Sequence, residues 1–323
     1  MKVYVTRLIP EEGLDIVRRY CDVEVWDGEL PPPYELLLEK VREIDGLLSL
    51  LTDRIDAPLM DAAPKLRVIS NYAVGYDNID VVAATQRGII VGHTPGVLTE
   101  TVADFTMALL LAAGRRVVEG ERFVRAGKWK VWGPTLLLGR DIHGATLGLV
   151  GLGRIGSSVA RRARGFAMRI LYHDIARQED LEGELGLICT DFETLLRESD
   201  FVSLHVPLTE DTHHLMSKGQ FALMKPTAIL INTSRGPVVD QRALYEALRS
   251  GEIAGAALDV TDPEPTAPDD PLLSLDNCLI VPHMASASVA TRTKMATMAA
   301  ENLIVGLKGE MPPHPVNPEV LRR

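Results

Sequence analysis

Three cysteines in 323 residues, at positions 21, 189 and 278, are too few and too scattered for a disulfide framework or a thiolate metal site. They read as buried thiols in a reducing compartment. Aromatic residues make up only 5% of a chain that is 46% apolar, so the core must be built from Leu, Ile, Val and Ala, as in layered α/β proteins. Basic residues are outnumbered 34 to 44, a net charge of −10, which argues against a nucleic-acid surface and leaves no basic patch for a membrane. No apolar run is long enough to cross a bilayer: the strongest, Phe105 to Ala113, soon meets Arg115-Arg116. The opening MKVYVTRLIP enters a strand without the apolar region of a signal peptide, so a cytoplasmic protein is expected. The eight histidines never reach ligand spacing with acids or thiols, and no metal is expected.

What remains is an alternation of short apolar strands and helices. Val3–Thr6, Val23–Trp26, Gly46–Leu51, Arg67–Asn71 and Ile89–Val91 read as strands, with helices at Glu11–Tyr20 and Asn78–Arg87. That pattern predicts a parallel sheet with helices on its faces. Thr101–Ala126 reads as one long helix, through Ala103, Met107, Leu110 and Leu111, and marks a domain crossing. A second α/β unit follows from about Gly144, with strands at Ile170–His173, Phe201–His205, Ala228–Asn232, Ala257–Val260 and Leu279–Val281. The tail beyond Val289 is strongly helical and has no sheet partner of its own, so it is expected to return to the first domain. Residues 1–99 with 290–323 are thus assigned to one discontinuous domain and residues 100–289 to the other.

Between an apolar segment, Ala145–Val150, and a helix, Arg154–Ala163, lies Gly151-Leu152-Gly153-Arg154-Ile155-Gly156. The first glycine permits the turn, the second lets backbone approach a pyrophosphate, and the third lets helix and strand pack closely. The helix N-terminus turns unpaired N–H groups towards the phosphates. Asp174, 18 residues beyond Gly156, closes the next strand, where a carboxylate accepts from the adenosine ribose and repels a 2′-phosphate. NAD(H) is therefore preferred, NADP(H) remaining possible because Arg177 is close by.

Arg235, Glu264 and His283 each follow a predicted strand, at the carboxyl edge where open α/β sheets bind ligands. Reduction of a 2-keto acid needs a cation for the carboxylate and a proton donor for the developing alkoxide. Arg235 suits the first role, His283 the second, and Glu264 would hold the imidazolium. Each residue alone has a plain structural explanation. The three together, downstream of a dinucleotide fingerprint, do not. His205 ends a strand and reads as a wall residue, while His213-His214 look like the opening of a helix.

Several segments carry a family resemblance. These are Asn71 to Asn78, Gly96 to Thr99, Gly151 to Gly156, His205 to Thr209, Asn232 to Gly236, Leu258 to Pro265, and Pro282-His283. Over essentially its full length the chain resembles the D-2-hydroxyacid dehydrogenases, most of all the glyoxylate/hydroxypyruvate reductases. The resemblance implies a Rossmann-type NAD-binding domain beside a flavodoxin-like substrate domain. It places Arg235, Glu264 and His283 on the family's catalytic Arg, Glu and His. Val74 and Gly75 match the loop whose amides receive the substrate carboxylate, and Leu51 a loop residue above the substrate. Asp259 matches an acid that contacts the nicotinamide amide. Thr99 or Thr101, His205, Val206, Pro207, Thr212, Thr233 and Ser234 fall where the family lines the cofactor cleft. Gly127 to Pro134 is similar to the reductases' segment in which a tryptophan reaches the other subunit's pocket, a role carried here to Trp132 in a homodimer. Ala285 stands where many relatives carry glycine.

The implied reaction is reduction of a small anionic 2-keto acid, glyoxylate to glycolate or hydroxypyruvate to D-glycerate, as the two domains close over the cleft. D-3-phosphoglycerate dehydrogenase of the short type is the nearest alternative, but it calls for a basic patch near Leu51 and Val74. A non-catalytic NAD(H)-sensing protein is the alternative from another class.

Overall fold

A computed structural model describes residues 1–321, so the last two residues of the expected 290–323 segment lie outside the described residues. Among the described residues twelve strands form two sheets, and every strand pair is parallel. The chain divides into two compact units, Met1–Leu98 with the tail from Ala287, and Thr99–Ser286.

The first unit holds β1 (Lys2–Val5), β2 (Asp22–Val25), β3 (Gly46–Ser49), β4 (Val68–Asn71) and β5 (Ile90–Gly92), ordered β2-β1-β3-β4-β5. This 2-1-3-4-5 order is that of flavodoxin-like sheets. Successive side chains of a strand face opposite ways, so each strand feeds two cores. Val3, Val5, Leu48 and Val68 meet Leu14 and Val17 of helix Glu11–Arg18 and Met295, Ala299 and Leu303 of helix Val289–Leu307. Tyr4, Leu47, Ile69 and Val91 pack on Leu37, Leu59 and Ala84 on the other face. The tail helix therefore completes the first sheet's core. Ser288 caps it by accepting from the Thr291 amide at 3.2 Å, and Ser70 Oγ donates to Ala299 O at 2.7 Å.

The second unit holds β6 (Thr146–Val150), β7 (Arg169–His173), β8 (Ile188–Cys189), β9 (Phe201–Leu204), β10 (Ile229–Asn232), β11 (Gly255–Leu258) and β12 (Cys278–Ile280). Their order, β12-β11-β10-β9-β6-β7-β8, runs outward in both directions from β6. This is the Rossmann arrangement extended by one strand, with its switch point between β6 and β9. Val150, Leu171, Val202, Leu230 and Leu258 bury one face and Leu149, Ile170, Tyr172, Phe201 and Ile231 the other. Each such side chain contributes roughly 1.5–3 kcal/mol by leaving water.

Three expectations need correction. The long helix Thr101–Ala126 is two helices, Thr99–Gly114 and Val117–Arg125. The break falls at Arg115-Arg116, where Arg116 takes a left-handed φ of 54° and its guanidinium grips Glu119 at 2.6 and 2.8 Å. The apolar stripe ends there, and the second helix buries none of its residues. His213-His214 lie in a turn and do not open a helix; the next helix starts at Lys218 behind a Ser217–Gln220 capping box. Of the three thiols only Cys278 is buried, whereas Cys189 is exposed and Cys21 half-buried. Among the described residues no helix is long and apolar enough to cross a membrane.

Candidate active site

The turn after β6 is built by its glycines. Gly151 has φ 91°, and a Cβ there would lie 2.9 Å from the His205 carbonyl. A Cβ on Gly156 would fall 2.3 Å from Gly151 O, so helix Arg154–Ala163 could not sit this close to β6. Gly153 differs: it has nothing within 4 Å of its Cβ position. Its missing side chain leaves open space beside a helix N-terminus that has no side-chain cap. That combination fits a pyrophosphate. Asp174, just past β7, accepts from the Leu152 amide at 2.6 Å, which fixes its carboxylate against the same turn. Arg177 is not loose nearby. Its Nε and Nη2 donate to Glu182 at 2.9 and 2.8 Å.

The other cofactor-side candidates are held by their neighbours. Thr233 Oγ1 lies 3.0 Å from Thr106 Oγ1, and Ser234 Oγ donates to Asn232 Oδ1 at 2.8 Å. Thr212 Oγ1 donates to Pro207 O at 2.6 Å and ties the turn that carries it to the segment after β9. His205 Nε2 lies 2.9 Å from Ser203 Oγ, and burial pushes the imidazole's pKa down to about 4, so the ring is neutral near pH 7. Thr101 is half-buried in the first turn of helix Thr99–Gly114.

Arg235, Glu264 and His283 follow β10, β11 and β12, three adjacent parallel strands, and so share one sheet edge. Arg235 is half-buried, its carbonyl accepts from Asn232 Nδ2 at 2.8 Å, and its Nη1 donates to Ser234 O at 2.9 Å. Glu264 Oε1 lies 2.5 Å from His283 Nδ1. With Nδ1 donating to that carboxylate, Nε2 is the ring atom that can carry a mobile proton.

Asp259 does something the sequence did not signal. Its carboxylate accepts from the Met284 amide at 2.7 Å and the Ala285 amide at 2.9 Å, and its carbonyl from the His283 amide at 2.8 Å. His283 sits in the left-handed region, φ 48°, a conformation that persists where surrounding structure over-determines it. Asp259 supplies that determination. Burial pushes its carboxyl upward, opposed by the two amides.

In the first unit, Leu51 borders an open hollow of about 440 Å³ together with Arg54, Asp56, Asp77 and Asp80. Asn78 Nδ2 donates to Leu50 O and Asp53 O, both at 3.0 Å. Asn71 Nδ2 donates to Asn78 Oδ1 at 3.1 Å and to Gly75 O at 2.9 Å. The loops that carry Leu51 and Gly75 are thereby tied together. The Val74 carbonyl lies 2.9 Å from His93 Nδ1, while among the described residues no hydrogen bond uses the Val74 or Gly75 amide. Trp132 is 76% exposed, beside Val131, also at 76%.

Residues 107–285 match the D-isomer specific 2-hydroxyacid dehydrogenase family, NAD binding domain. The chain is 60% identical to the glyoxylate reductase of Korarchaeum cryptofilum (strain OPF8), over 99% of this chain and 97% of that one. Among solved structures it is similar to the TT0316 protein of Thermus thermophilus, at 52% identity and a TM-score of 0.93, covering 98% of this chain and all of that one. It is also similar to the NADPH-dependent glyoxylate/hydroxypyruvate reductase of Sinorhizobium meliloti in complex with NADP and malonate. There the identity is 34% and the TM-score 0.87, over 100% of this chain and 98% of that one.

Proposed function

The chain belongs to the D-isomer specific 2-hydroxyacid dehydrogenases, and from that membership we propose that it reduces glyoxylate to glycolate and hydroxypyruvate to D-glycerate with NADH. The observation that carries the reading is the Glu264–His283 pair, held at 2.5 Å on the sheet edge that also bears Arg235. Bound NADH supplies the hydride. Arg235 presents paired N–H groups to the substrate carboxylate and draws charge from the carbonyl oxygen. His283 delivers a proton from Nε2 to that oxygen, and Glu264 stabilises the imidazolium before transfer and keeps the ring oriented after it. The neutral ring then regains its proton from solvent.

Gly151 to Gly156 would hold the pyrophosphate, Asp174 the adenosine ribose, and His205, Val206, Pro207, Thr212, Thr233, Ser234 and Thr101 the cofactor's flanks. Asp259 would act from behind His283 as well as near the nicotinamide amide. Leu51 and the unpaired Val74 and Gly75 amides are assigned to the substrate. The hollow at Leu51 carries one guanidinium, Arg54, already paired with Asp56 at 2.7 Å, among several carboxylates. That surrounding disfavours a phosphorylated substrate. Unpaired cysteines suit a cytoplasmic enzyme, and the exposed apolar residues around Trp132 suit a homodimer.

Initial rates with glyoxylate, hydroxypyruvate, 3-phosphohydroxypyruvate and pyruvate, each with NADH and NADPH, test the reading. Fast turnover of the first two with NADH is expected. Preference for the phosphorylated acid, or NADH binding without turnover, would overturn it.

A further inference from the structure

The Arg177–Glu182 pair differs from an ordinary surface salt bridge. The Arg177 side chain is 62% exposed, but that of Glu182 is only 17% exposed. Besides the two bonds from Arg177, Glu182 Oε1 accepts from Tyr172 Oη at 2.6 Å. That hydroxyl in turn accepts from the Gln178 amide at 2.8 Å, and Tyr172 is wholly buried in β7, two residues before Asp174. The carboxylate is thus anchored to the strand that positions the ribose acid, and three hydrogen bonds hold it ionised, with its pKa down to about 2. A bidentate grip of this kind fixes the guanidinium plane. Nη1, on the remaining side, faces a second acid, Glu179, at 4.0 Å.

An arginine shortly after the ribose acid is the group with which Rossmann domains accommodate a 2′-phosphate. Here a phosphate must displace a carboxylate that a buried phenol holds in place. We propose that Glu182 is a positioning residue for cofactor selectivity: it withholds Arg177 from the 2′-phosphate of NADP(H), so that discrimination does not rest on Asp174 alone. The inference rests on the dinucleotide-binding reading above and adds a residue to it.

The test is a set of binding titrations on the full chain without substrate, following nicotinamide fluorescence with NADH and NADPH. Glu182→Gln is expected to tighten NADPH binding at least about fivefold and to move NADH by less than about twofold, a change of roughly 1 kcal/mol in selectivity. Arg177→Ala in the Glu182→Gln background should remove the gain. Arg177→Ala alone should weaken NADPH less than about threefold, because a withheld guanidinium has little contact to lose. An unchanged NADPH-to-NADH affinity ratio in Glu182→Gln overturns the proposal, as does a gain that persists without Arg177. Should Glu182→Gln fail to fold, Arg177→Ala decides alone: a loss of NADPH affinity of about threefold or more overturns the proposal, and a smaller one supports it. If the unaltered protein binds neither dinucleotide, the functional reading itself fails, which is a distinct result.

Discussion

Glu264 Oε1 accepts from His283 Nδ1 across 2.5 Å, although 19 residues separate them and neither belongs to a strand. Their meeting is a product of sheet order, since β11 and β12 are neighbours and both loops leave the same edge. His283→Ala should lower kcat by about 10²–10⁴-fold with little change in KM, the range for losing a positioned proton donor. Glu264→Gln keeps a hydrogen-bond acceptor for Nδ1 but removes the charge, so it should lower kcat less. A kcat unchanged in Glu264→Gln would show that the carboxylate only orients the ring.

Asp259 tests whether the backbone behind His283 matters. In Asp259→Asn one acceptor becomes a donor and faces the Met284 or Ala285 amide. A buried polar clash of this kind costs about 1–3 kcal/mol, readable as a lower denaturant midpoint with an unchanged slope. Because the left-handed turn at His283 loses its brace, kcat should fall further than the stability loss explains at assay temperature. An Asn variant with native kcat would remove Asp259 from any positioning role.

The two glycines of the turn separate folding from binding. Gly156→Ala forces a Cβ to 2.3 Å from Gly151 O and should lower Tm sharply and abolish dinucleotide binding with it. Gly153→Ala meets nothing within 4 Å and has an ordinary φ of −72°, so Tm should hold. Its methyl group would instead occupy the approach to the pyrophosphate, and NADH affinity should fall about tenfold or more. Equal affinities in Gly153→Ala and the unaltered chain would relocate the cofactor.

These predictions use two kinds of information, one legible in the sequence and one not. Strand periodicity set out the parallel sheets, and short apolar runs such as Ile229–Asn232 announced the edge on which Arg235 and its neighbours stand. The two-residue strand Ile188–Cys189 is not legible, because the apolar run Leu187–Cys189 is too short to set a period and both strand residues are exposed. The break at Arg115-Arg116 leaves no mark in the pattern, because helical spacing on its two sides is compatible with one continuous helix until burial separates them. Asn78 and Asp259 act through hydrogen bonds to backbone groups distant in sequence, Glu182 through side chains five and ten residues before it, and such bonds leave no period to read.

His205 should make stability pH-dependent in a defined direction. Burial lowers its folded pKa from 6.5 to about 4, so the unfolded chain binds the proton more readily. Its contribution is complete above about pH 6.5 and is lost as pH falls towards 4, amounting to about 3 kcal/mol at most. His205→Asn carries no such proton. The Tm gap between the unaltered chain and this variant should therefore narrow, or reverse, on acidification from pH 7.5 to 4.5. A constant gap across that range would mean that His205 titrates normally.

Trp132 bears on the assembly. It and Val131 are each 76% exposed, Leu138 is 64% and Trp129 58%, and the preceding helix Val117–Arg125 buries none of its residues within its own chain. Large apolar side chains exposed close together in sequence are what an association site would cover, because an isolated chain holds them in water at a cost of roughly 25 cal/mol per Å². If two copies meet there, Trp132→Glu places a charge in the interface, and sedimentation should show a monomer at concentrations where the unaltered chain is a dimer. The same variant reports on the second role assigned to this tryptophan. Should its indole reach the partner's substrate pocket, Trp132→Phe, which keeps an apolar ring, should leave the dimer intact yet raise KM for hydroxypyruvate. A monomeric unaltered chain would remove both assignments, and a dimer with native KM in Trp132→Phe would remove the second alone.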